Sequence, residues 1–266
     1  MKDGNRIWSV YATALLMSAL GAGTAAAAGV PRGNAPFAGK ERYDRCLELV
    51  KRNPAQASVE ANAWAASGGG AAAMHCDALA LTELKRFPEA AQKLEDTADA
   101  GKASAPLRAE LYDQAGNAWL LARNPARAEV ALTSALALDP KNEDTLSDRA
   151  RERGLAKNWT GAIEDLTSVL ALDPDRADIY VLRASALHAQ GKRNEARADI
   201  AHALDIYPDY PEALVERGTM RLEAGDRDGA RADWQTASRE APDSDAGATA
   251  RARLAQLASL TQTKKK

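Results

Sequence analysis

Large and small apolar positions recur along this chain with a period of 34 residues, marked by prolines at 106, 140, 174, 208 and 242. Twelve residues before the last four prolines stand Ala128, Ala162, Ala196 and Ala230, and twenty-four before them stand Gly116, Ala150, Ala184 and Gly218. The large residues keep the same beat: Leu132, Leu166, Ile200 and Trp234 lie eight before, and Tyr112, Leu146, Tyr180 and Leu214 lie twenty-eight before. A constant period of this length predicts an array built by repeating one supersecondary unit. Each unit reads as two helices. Asp139-Pro140 and Asp173-Pro174 end one helix, because proline disfavours α geometry in the residue before it. A polar break then divides the unit at 122–125, 157–160, 190–194 and 225–228, where Gly191 and Gly225 suit a left-handed backbone. Small residues opposite large ones let two antiparallel helices interlock.

This order of large, small and proline marks resembles the tetratricopeptide repeat (TPR) family, and residues 109–244 match it in four units. Ala115, Arg149, Arg183 and Arg217 stand where the family usually has Leu, and Arg153 and Arg221 where it often has Tyr. The resemblance implies an all-α fold, a right-handed α-solenoid of helix-turn-helix repeats. Residues 86–90 and 53–57 resemble the break before Ala128, which gives two degenerate units over 40–108, with about four extra residues near 100–105. Residues 245–261 read as a capping helix, which closes the exposed apolar end of a repeat stack, and 262–266 as a solvated tail.

The N-terminus changes the setting. Lys2 and Arg6 precede an apolar stretch over 7–20, and small residues run on to Ala28, the layout of a secretory signal peptide. The stretch is shorter than the roughly 20 residues of a spanning helix, so residues 1–28 are expected to be removed after Ala28. That leaves 29–39 as a linker and a periplasmic or secreted chain without stable membrane insertion. Composition narrows the chemistry. Aromatics make up 5% and there are only five Ile and eight Val in 266 residues, which disfavours a β-rich fold. A net charge of -2, from 35 basic and 37 acidic residues, gives no footprint for nucleic acid.

With three His and two Cys, the raw material for catalysis or a metal centre is thin, so no enzyme activity, cofactor or metal is expected. His188 and His202 accompany no nucleophile motif, and Gly68-Gly69-Gly70 lacks the strand and Lys of a phosphate loop. His75 beside Cys76 does not make a zinc site, because the chain has no Cys-x-x-Cys. Cys46 lies eleven residues before Ala57 and Cys76 fourteen before Ala90, roughly equivalent places on adjacent helices. An oxidising compartment then favours a Cys46–Cys76 disulfide over two buried thiols. Arg183 and Arg217 recur with Asp199 and Asp233, as Arg149 does with Asp165, while residues 109–142 lack both members. Their joint loss favours pairing between the two helices of a unit over an anion-binding ladder.

The resemblance further implies a scaffold that binds an extended peptide or a partner helix along the inward positions of each first helix. Carried onto this chain, those positions are Asp113, Gln114 and Asn117, then Ser147, Asp148 and Arg151. The next units add Val181, Leu182, Ser185 and His188, then Val215, Glu216, Thr219, Leu222 and Glu223. Glu110, Asp144, Asp178 and Glu212 sit near helix starts, where the helix dipole accounts for acids. The remaining acids and the apolar Val181, Leu182, Val215 and Leu222 point to a partner segment that is apolar with a basic flank. The alternative is an accessory or oligomerisation module of a cell-wall enzyme or envelope assembly.

Overall fold

A computed structural model of the chain describes residues 40–101 and 103–263, and the regular elements among them are helical. The expected signal segment, the linker and the tail residues 264–266 lie outside the described residues. In chain order the α-helices are α1 Lys40–Arg52, α2 Pro54–Trp64, α3 Gly70–Glu83, α4 Phe87–Asp99, α5 Ala105–Leu121, α6 Pro125–Leu138 and α7 Glu143–Leu155. They continue with α8 Trp159–Leu172, α9 Ala177–Ala189, α10 Arg193–Ile206, α11 Pro211–Glu223, α12 Arg227–Glu240 and α13 Asp245–Thr263. Two compact units result, one of the described residues up to Glu152 and one from Arg153 onward. In the first, each helix packs on the next from α1 to α6, and α1 also touches α3. In the second, the same holds from α8 to α13, with further contacts of α9 to α11 and of α11 to α13. The helices pair as first and second members of each repeat.

The turn inside five of these pairs is one device. Lys85, Arg123, Lys157, Gly191 and Gly225 take φ of +59°, +56°, +63°, +82° and +90°. The N–H of each left-handed residue bonds the carbonyl three residues back, and the next N–H bonds the carbonyl five back. Gly191 N to His188 O and Lys192 N to Leu187 O, both 2.9 Å, are one instance. This pattern satisfies the last carbonyls of the first helix. The following residue then starts the second helix: Asn124, Asn158 and Asp226 accept from the N–H of Arg127, Gly161 and Gly229 at 3.3, 3.1 and 2.9 Å. Lys157 holds a Cβ in left-handed geometry that Gly191 avoids. Lys157→Gly is therefore expected to stabilise the chain by about 1 kcal/mol, read as a melting temperature higher by a few degrees.

Between pairs, Asp139, Asp173, Tyr207 and Ala241 take φ between -129° and -136°, the extended backbone that a following proline imposes. Pro106 differs, standing in the first turn of α5, and the extra residues expected in a connection near 100–105 mostly lengthen that helix. It has 17 residues, where α7, α9 and α11 have 13.

The small-under-large pattern builds the core. Ala128, Ala162, Ala196 and Ala230 are fully buried, as are Leu132, Leu166, Ile200 and Trp234. A Cβ at Gly218 would stand 2.5 Å from Trp234 Nε1, and one at Gly116 would stand 2.6 Å from Leu132 Cγ. Trp234 Nε1 donates to the Val215 carbonyl at 3.1 Å. Gly68-Gly69-Gly70 serves the backbone, at the wide turn joining α2 to α3.

Charge pairs join the helices of a repeat. Arg183 grips Asp199 with Nε and Nη2, both at 2.8 Å, and Arg217 grips Asp233 at 3.1 and 2.8 Å. Arg153 and Arg221, which replace the family's Tyr, reach across in the same way. Arg153 Nη1 donates to Asp165 at 2.9 Å and to the Gly161 carbonyl, and Arg221 Nη1 to Asp233 at 2.8 Å and to the Gly229 carbonyl. Asp199 is buried, so its neutralisation leaves a half-buried guanidinium without its anion. Asp199→Asn is expected to cost about 2 kcal/mol in urea unfolding, and the joint change Arg183→Met with Asp199→Leu less than that. Equal losses would mean that the pair is not coupled.

The irregular pairs carry their own staples. A Cys46–Cys76 disulfide joins α1 to α3 across a Cα–Cα distance of 6.3 Å. Next to it Tyr43 OH lies 2.6 Å from His75 Nδ1, and His75 Nε2 lies 2.7 Å from Gln114 Oε1, so one polar chain crosses α1, α3 and α5. An amide oxygen at Nε2 requires a proton there, which leaves Nδ1 to accept from the phenol. Burial lowers the His75 pKa to about 4 and keeps the ring neutral. His75 is a core hydrogen-bonding residue.

Candidate functional site

The residues expected to face a ligand fall on the first helices of both units. In the first unit, α5 supplies Asp113, Gln114 and Asn117, and α7 supplies Ser147, Asp148 and Arg151. Asn117 Nδ2 donates to Asp148 Oδ2 at 2.8 Å, and Arg151 Nη1 donates to Asp148 Oδ1 at 2.5 Å. Gln114 and Ser147 are buried: the first belongs to the His75 chain, and the second donates to the Glu143 carbonyl at 2.7 Å. Asp113 stands beside Asp148 in a half-buried setting, and burial followed by the neighbouring carboxylate pushes its pKa up to about 7. Burial also raises the Asp148 pKa, against the pull of Arg151. Thr145, which the sequence did not single out, hydrogen-bonds Asp113.

In the second unit the positions divide differently. Val181, Leu182 and Val215 are 5%, 8% and 2% exposed and belong to the core, so the expected apolar strip is not a surface. Leu222 packs on the same cluster. Adjacent first helices α9 and α11 press their apolar residues against each other and against the second helices, so the expected positions that remain are polar. Ser185 and Thr219 are buried, and Thr219 Oγ1 donates to the Val215 carbonyl at 2.9 Å. Glu216 is completely buried, and His188 bridges two carboxylates. Its Nδ1 lies 3.3 Å from Glu216 Oε1 and its Nε2 lies 2.8 Å from Glu223 Oε2. Hydrogen bonding to Glu216 leads the causes that raise the His188 pKa to about 9, so the ring is an imidazolium at neutral pH.

Buried side-chain atoms at the expected positions that make no hydrogen bond among the described residues include Asp113 Oδ1, Arg151 Nε and Glu216 Oε2. Folded proteins satisfy nearly all buried polar groups, and ordered water is an ordinary partner for such atoms. Among the described residues no group of three or more His, Cys, Asp or Glu converges as metal ligands, and no helix is long and apolar enough to cross a membrane.

No family model and no curated protein matches the chain. Solved structures do. The chain is similar to MamA from residue 41 to its end, from Desulfovibrio magneticus RS-1, at 19% identity and a TM-score of 0.58, over 65% of this chain and 97% of that one. A crystal structure of MamA aligns at 19% identity and a TM-score of 0.54, over 60% and 91% of the two chains. YrrB, described as a TPR protein with an unusual peptide-binding site, aligns at 17% identity and a TM-score of 0.55, over 71% and 96%. At these identities the likeness speaks to fold, and it agrees with helix pairs spaced by 34 residues and small residues seated under large ones: this chain has the tetratricopeptide-repeat fold.

Proposed function

We propose that the chain is a protein–protein interaction scaffold of the cell envelope, periplasmic or secreted once residues 1–28 are removed, binding an extended peptide or a partner helix on its first helices. The observation that carries this reading is the tetratricopeptide-repeat fold, shared with YrrB, which has a peptide-binding site, together with the adjoining carboxylates Asp113 and Asp148 on first helices of the first unit. The reading divides the chain into two irregular repeats over 40–108, four regular ones over 109–244, a capping helix over 245–261 and a tail over 262–266. The basic flank of the client would meet Asp113 and Asp148, beside which Arg151 is the cation of the expected set in the first unit. Val181, Leu182 and Val215 are occupied by the core and offer the client no apolar surface.

A photo-crosslinking residue placed at Asn117 tests the reading, with one at Val130, 66% exposed on α6, as the control. In the protein's own compartment a discrete client adduct is expected from 117 and none from 130, and Asp148→Asn should weaken it. Adducts from Val130 alone would move the site to the second helices. Binding of a lysine-flanked client peptide should strengthen as pH rises through about 7, where Asp113 gives up its proton, and weaken with added salt. N-terminal sequencing of the exported protein is expected to begin at Gly29.

A further inference from the structure

His188, Arg193, Arg197, Met220, Glu223 and Ala224 line a cleft of about 270 Å³ in the second unit. It is bounded by the last turns of α9 and α11 and the first turns of α10. Arg193 and Arg197 stand one helical turn apart on α10, a spacing that places their stems about 5–6 Å from each other on one face. Neither guanidinium takes a carboxylate or carbonyl partner among the described residues. That is unlike Arg176, Arg183, Arg217, Arg221 and Arg231 of the same unit, each paired with an Asp. The carboxylate lining the cleft, Glu223, is engaged by His188 Nε2 at 2.8 Å, and His188 is held from behind by Glu216. The lining therefore carries two arginines without an acidic partner beside a carboxylate already engaged by His188, with Met220 and Ala224 as its apolar part.

We propose that this cleft is an oxyanion-binding site, in which Arg193 and Arg197 clamp a carboxylate or a phosphate between them. Two adjacent guanidiniums offer parallel N–H donors to such a group, and charge-assisted bonds of that kind are the strong ones. The His188–Glu223 contact has a positioning part: it ties up the acid that would otherwise neutralise Arg193 or Arg197. The site uses neither Asp113 nor Asp148 and does not depend on the scaffold reading.

The test is calorimetric titration of the full chain in a phosphate-free buffer with inorganic phosphate and, separately, with a blocked Gly-Glu-Gly peptide. Wild type is expected to bind at least one probe saturably, more weakly as salt is raised. The double variant R193Q and R197Q is expected to lose ten-fold or more in affinity, and R227Q, on α12 outside the cleft, to bind as wild type does. Phosphate binding alone would identify a small-oxyanion or phosphoryl site, and peptide binding alone a site for an acidic side chain. Either result supports the clamp. Absence of saturable binding of both probes to wild type, or equal affinity in the double variant, would overturn it. Should the double variant misfold, R197Q by itself, expected to weaken binding three-fold or more, decides.

Discussion

Replacing Cys46 and Cys76 by serine is expected to remove about 3–4 kcal/mol of stability from the first unit, the entropic value of closing a loop with a sequence separation of 30. The bridge sits where the repeat is least regular. It ties α1 to α3, and the Tyr43–His75–Gln114 chain depends on those helices keeping their places. The loss should therefore be concentrated in the first unit. Urea unfolding of wild type with and without a reductant reads it directly, with the double-serine variant as an insensitive control. A midpoint unmoved by reductant would mean that the bridge contributes no stability.

His188→Ala is expected to cost about 3 kcal/mol, because it leaves the fully buried Glu216 without its cation. The folded pKa of about 9 lies above the ordinary 6.5. The contribution is therefore fully present below pH 6.5 and is lost as pH rises through about 9. Wild type should accordingly lose stability between these limits, while His188→Gln, lacking the titrating ring, should show a flatter profile in that window. The groups facing the ring are Glu216 and Glu223, with Arg193 and Arg197 across the cleft. A wild-type profile with the same slope as the variant would mean that the imidazolium is not held by Glu216.

Reading by offset worked where packing is periodic. Leu132, Leu166, Ile200 and Trp234 are all buried over small residues, since each repeat packs on its neighbours in the same way and the same steric need returns every 34 residues. Arg183–Asp199 and Arg217–Asp233 were legible for the same reason, as was the approach of Cys46 to Cys76. Offset was less informative about exposure. Val181, Leu182 and Val215 occupy inward positions by register, yet α9 and α11 lie close enough to bury them, and no spacing within one helix reports the distance to the next. Arg153 and Arg221 looked like departures from the family pattern and prove to be ties to the second helix.

By itself, then, the sequence determined the helix pairs, the turns inside them and the interlocking core, because these follow from local chain geometry and from a steric pattern that repeats. Only the tertiary structure decided which polar groups meet where a repeat departs from the common pattern. Tyr43 with His75 and Gln114, His188 with Glu216 and Glu223, and Arg193 with Arg197 opposite Met220 each involve a place where one repeat differs from the others. Those meetings are not periodic. Each depends on how far a side chain extends across a helix interface, and that distance is set by the packing of the whole unit.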